Sequence, residues 1–96
     1  MSGKDLRGKR AVALRYDPGK ERAPRILAKG KGRVAQKILD AARKAGIPIH
    51  EDNDLVRMLE GIEIGKLIPP ALFDAVAQIL AWVYRANQEW KRTHMR

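Results

Sequence analysis

Residues 11–30, AVALRYDPGKERAPRILAKG, constrain the fold of this chain more than any other stretch. Val12, Leu14 and Tyr16 alternate with Ala11, Ala13 and Arg15, the period of two that marks an extended strand. Asp17-Pro18-Gly19 supplies turn chemistry, because proline presets φ and glycine accepts positive φ. Pro24 confines the next strand's start to an edge or entry position, and the extended run resumes over Arg25–Lys29 with Ile26 and Leu27 inside it. The stretch therefore predicts two neighbouring strands, Arg10–Tyr16 and Arg25–Lys29.

Helical signals follow. Val34, Ala35, Ile38, Leu39, Ala42 and Ala45 recur at three- and four-residue spacing and predict a helix over Arg33–Ala45, closed by Gly46. Ile47–His50 reads as a third short strand, restricted to an edge by Pro48. Asp52, Asn53 and Asp54 offer N-caps for a helix over Asn53–Glu60. The apolar anchors of residues 62–68 sit in an irregular or extended loop, and Pro69-Pro70 opens a last helix over Pro70–Glu89. That helix carries two apolar stripes. Leu72, Phe73, Val76, Ala77, Leu80, Val83 and Tyr84 should pack on the sheet, and Ile79, Trp82, Ala86 and Trp90 should meet a second surface, with Trp82 in the core and Trp90 exposed. The expected core includes Leu14, Ile26, Ile38, Leu39, Leu59, Phe73, Val76, Leu80 and Val83.

Ninety-six residues make one domain. Its expected plan is a basic flexible leader (1–9), a folded unit (10–90) and a frayed tail (91–96). The class is α/β, a small mixed sheet of three to four strands flanked by helices. No apolar run reaches the eighteen residues a membrane span needs. Nothing apolar follows the basic start, so no secretory signal is read there.

The catalytic inventory is short. The chain has no cysteine, two histidines (His50 and His94) on different segments, and single Ser2 and Thr93. Neither a metal site nor a nucleophilic triad has credible members, and no cofactor motif is present. The lone Lys31 between Gly30 and Gly32 lacks the spacing of a phosphate-binding loop. Glu51, Asp52 and Asp54 are explained by helix capping. The composition predicts a protein that is not an enzyme. The net charge of +9 is concentrated at the start, with eleven Lys/Arg against three acids in residues 1–33. A basic arm of Lys4, Arg7, Lys9 and Arg10 suits acidic partners, nucleic acid or anionic lipid, and equally suits plain solubility.

AVALRYDP, then APRILAKG, then IEIGKLIPPALFDAVAQILAWVY, in that order, resemble the cytoplasmic domain of the FlhB/YscU family of flagellar and type III export-switch proteins. The resemblance covers Ala11 to Tyr84. It implies a cytoplasmic binding module with a peripheral place at the membrane export gate. Its partners would be export-gate membrane proteins, the hook-length ruler or export substrates. It also implies a shallow apolar site for export signals, matched here by Ala23, Pro24, Ala77 and Leu80. Family members cleave themselves at an Asn-Pro-Thr-His motif just before the first strand, where the asparagine attacks its own carbonyl carbon. This chain has Leu6-Arg7-Gly8-Lys9 and then Arg10 there, so autocleavage is not expected. The chain thus resembles the fragment that cleavage leaves, with the family's upstream strand missing and one sheet edge open to another chain. The alternative reading, from charge alone, is a basic nucleic-acid-binding protein. It lacks RNP or KH motifs and interleaved aromatics.

Overall fold

The computed structural model describes residues 8–94, with side chains described through residue 85. Strands β1 (Arg10–Arg15) and β2 (Arg25–Lys31) pair antiparallel, followed by helices α1 (Arg33–Ala45) and α2 (Asn53–Leu59). A 3-10 turn at Pro70–Leu72 leads directly into α3 (Phe73–His94). Helix α3 continues past the boundary expected at residue 90, to His94. The residues expected to form the leader lie outside the described residues up to position 7, as does the side chain of Trp90.

The hairpin has two different faces because side chains alternate along each strand. Ala11 and Gly30 pair across the ladder and face α1, where a Cβ on Gly30 would stand 2.1 Å from Val34 Cγ1. Small residues let this helix sit close, and Ala35 is buried completely beneath it. On the opposite face Ile26 joins Ala23, Leu55, Leu59, Ile68, Leu72 and Val76 in the main core, with Val12 and Leu14 packed against it. The result is α1, hairpin, then α2 with α3.

The register shifts between Ala13 and Leu14, which pair with Ala28 and Ile26 respectively. Leu27 is the extra residue of this bulge and turns outward, 55% exposed. The bulge keeps Ile26 on the core face while Gly30 still meets α1.

The helices expected at α1 and α2 are present to within a residue at their ends, whereas α3 begins three residues later than expected, after the 3-10 turn, and runs five residues further, to His94. Gly46 caps α1 in the left-handed region (φ 72) and donates to the carbonyl of Arg43. Asp52 accepts a bond from the Leu55 N–H at the start of α2.

The expected strand Ile47–His50 is absent, and the sheet has two strands among the described residues. Pro48 brings no N–H, and the Ile47 N–H is already spent on the Ala42 carbonyl in the α1 cap, so the segment has too few donors for a ladder. The outer edge of β2 is sealed instead by residues 65–68. Gly65 N–H donates to Ile26 O, Ile26 N–H to Lys66 O, and Ile68 N–H to Pro24 O, all within 2.8–2.9 Å. Leu67 forms a bridge to Arg25 in the same strip.

The core also differs in membership. Leu14, Ile38, Leu39, Leu80 and Val83 are half-buried, and Phe73 is exposed, because α1 and α3 each cover the hairpin with a narrower stripe than their apolar residues occupy. Trp82, expected inside, is 42% exposed and lies 6.1 Å from the His50 ring, which ties the 47–50 segment to α3.

Candidate docking site on the last helix

Of the residues singled out from sequence, Ala23 and Pro24 are buried just ahead of β2. Ala23 belongs to the core with Val76, and Leu80 packs at the margin of that cluster. Ala77 faces solvent. The four are therefore not one surface: Ala23 and Pro24 form the floor, Leu80 the rim, and Ala77 the exposed side.

Two further residues extend this rim. Phe73, Ala77, Leu80 and Tyr84 are spaced four, three and four residues apart, which places them on one side of α3. Phe73 is 38% exposed and Tyr84 65%. Their spacing was visible in the sequence, but it equally fits a core stripe, and only the way α3 is rotated on the hairpin puts them in solvent. An exposed stripe with two aromatic side chains is the composition that contact surfaces use.

The basic arm divides. Lys4 and Arg7 lie outside the described residues. Lys9 is half-buried, and its carbonyl accepts from the Gly32 N–H at 2.8 Å. Arg10 is ion-paired with Glu60 of α2 and so clamps β1 onto that helix. It is a structural cation, not a free steering charge. Two other cations of the basic half are likewise structural. Lys29 Nζ donates to the carbonyls of Glu60 and Ile62 at 2.9 and 2.8 Å, capping the C-terminal end of α2. Arg25 donates to Glu21 at 2.7 and 2.9 Å and also reaches the Gly65 carbonyl. Sequence reasoning missed these roles because Glu60, Ile62 and Gly65 are distant in the chain, and because Glu21, four residues before Arg25, precedes a strand and does not stand on a helix, where that spacing pairs charges.

Among the described residues no group of His, Asp or Glu is placed to hold a metal ion, and no helix is long and apolar enough to cross a membrane.

A hairpin sandwiched between one basic helix and a two-helix layer, with the start of its outer edge held by the 65–68 strip, makes a small α/β domain. The family described as FlhB HrpN YscU SpaS matches residues 9–83, and the chain belongs to it. This is the family of flagellar and type III export-switch proteins. YlqH of Bacillus subtilis is 43% identical over 83 residues, covering 86% of this chain and 89% of YlqH. FlhB of Aquifex aeolicus, a flagellar biosynthetic protein, is 46% identical over 74 residues, which are 76% of this chain. The match spans only 21% of that FlhB. The crystal structure of the FlhB cytoplasmic domain from Shewanella putrefaciens superposes with a TM-score of 0.79 at 38% identity, covering 85% of this chain and 68% of that domain. The family and the α/β class expected from the sequence both stand, with fewer strands than expected.

Proposed function

We propose that this chain is a non-enzymatic docking module of the flagellar or type III export apparatus, acting as the C-terminal part of an FlhB-type switch protein does. Its partners are export-gate proteins, the length ruler or export substrates. The observation that carries this reading is the apolar stripe of exposed Phe73, Ala77 and Tyr84, joined by half-buried Leu80 to the core that holds Ala23, in a chain that belongs to the export-switch family.

The test is binding kinetics against the cytoplasmic parts of the export gate. Tyr84→Ala and Ala77→Glu are expected to shorten the complex lifetime about tenfold or more, since truncating or charging an interface anchor commonly costs over 1 kcal/mol. Both positions are exposed, so circular dichroism should show an unchanged fold. A charged residue at Ala23 does not serve this purpose. That side chain is 2% exposed, and a charge there would disrupt the core before it disrupted binding. Unchanged kinetics for both variants would remove the stripe from the interface. If a random DNA duplex binds tightly and salt-sensitively while every export component fails, the nucleic-acid reading replaces this one.

The chain is also expected to stay intact. It has Gly8 and Lys9 ahead of β1 and no asparagine to attack the backbone there. Mass spectrometry after prolonged incubation at neutral pH should find one polypeptide. A break between residues 6 and 11 would overturn the non-enzymatic reading.

A further inference from the structure

The charge of the described chain is split between layers. Residues 9–45, which form the hairpin and α1, hold twelve Lys/Arg against three acids. Residues 46–85, with α2 and α3 through Arg85, hold three against six. Since α1 covers one face of the hairpin and α2 with α3 the other, the cations of α1 itself, Arg33, Lys37, Arg43 and Lys44 against the single Asp40, lie on the side opposite this acidic layer.

On α1 the outermost line is basic. Arg33, Lys37 and Lys44 are spaced four and seven residues apart and share one side of the helix, directly opposite buried Ala35. At 1.5 Å per residue the line is about 16 Å long. All three side chains are exposed, and none has an acidic partner among the described residues. The one carboxylate on this side, Asp40, is engaged by Arg43 at 3.4 Å and by the Gln36 amide at 2.8 Å. An exposed aliphatic side chain stands near each end of the line, Val34 at 52% and Ile47 at 58%.

We infer that the α1 face seats the domain on an anionic lipid surface, through the line of Arg33, Lys37 and Lys44 with Val34 and Ile47 at its ends. Three features favour lipid. The line lies on the convex outer side of a helix, which meets a broad surface, and no groove encloses it. The apolar residues beside it are aliphatic, suited to the headgroup boundary, whereas bases call for stacking aromatics. The acidic layer on the far side turns the domain so that α1 faces the negative surface. This inference uses a different face from the α3 stripe and does not depend on the docking reading.

Co-sedimentation with vesicles of phosphatidylcholine alone, and with a quarter of it replaced by phosphatidylglycerol, tests it. Binding is expected only to the anionic vesicles, falling as salt rises. The triple variant Arg33→Gln, Lys37→Gln, Lys44→Gln should weaken binding on the order of a hundredfold, as three surface cations together would. A control triple on the acidic layer, Arg57→Gln, Lys66→Gln, Arg85→Gln, makes the same charge change and should weaken it less than tenfold. Ile47→Ser should lower vesicle binding and leave any binding to a DNA duplex unaltered. The inference is overturned if anionic vesicles do not bind, if both triples lose equally, or if a duplex competes the domain off vesicles at matched phosphate. All substituted positions are exposed, so a circular dichroism spectrum matching the parent is expected for each.

Discussion

Ile26→Ala is expected to destabilise the domain by about 2–5 kcal/mol, the range for emptying a fully buried aliphatic position. Ile26 is 0% exposed and sits where β2, α2, the 65–68 strip and α3 converge. Its backbone N–H and carbonyl hold Lys66 and Gly65, which fixes the main chain around the side chain and limits how far a cavity can collapse. Small domains have roughly 5–15 kcal/mol in all, so the loss is a large fraction. Urea denaturation followed by circular dichroism should show a lower midpoint with an unchanged slope. Ile26→Val should cost about 0.5–1.5 kcal/mol in the same assay. A loss under roughly 1 kcal/mol for the alanine variant would mean that the hairpin is not packed through this residue.

Gly30→Ala should cost about 1–3 kcal/mol, by overpacking on the other face. The added Cβ would meet Val34 Cγ1 at 2.1 Å, Val34 Cβ at 2.7 Å and the Ala35 backbone nitrogen at 3.3 Å. Val34 is half in solvent, so its Cγ1 can swing aside, but its Cβ and the Ala35 nitrogen move only with the helix. Adding Val34→Ala should therefore restore part of the loss and not all of it. Full rescue would show that only the Val34 side chain opposes position 30. No loss at all would show that α1 does not rest on β2 at this point.

Much of the fold was legible locally. The alternation of Val12 and Leu14 with Ala11 and Ala13, the three-and-four spacing in α1, the Asp52 cap and the Gly46 cap are short-range signals. They persist in the structure because propensity and packing agree there. The family was legible too, since AVALRYDP and the later motifs stand in order within the matched residues 9–83.

Ile47–His50 was misread because its extended character says nothing of where donors are spent, and the α1 cap had already taken the Ile47 N–H. For the 65–68 strip an extended loop is legible but its pairing with the start of β2 is not, because Lys66 and Leu67 carry no pattern until Ile26 offers its backbone. In α3 the sequence specified an apolar helix with more stripe than one sheet face can bury. Which residues remained outside depended on the rotation of that helix against Ala23, Leu55 and Leu59. That rotation sent Val76 inward, left Leu80 on the rim, and put Phe73 and Tyr84 into solvent. Charge followed the same division. The excess of Lys and Arg in the first half is a property of the sequence. Tertiary contacts decided that Arg10, Lys29 and, through the Gly65 carbonyl, Arg25 would fasten the fold while Arg33, Lys37 and Lys44 have no acidic partner among the described residues, because an ion pair or a carbonyl cap depends on distance in space and not along the chain.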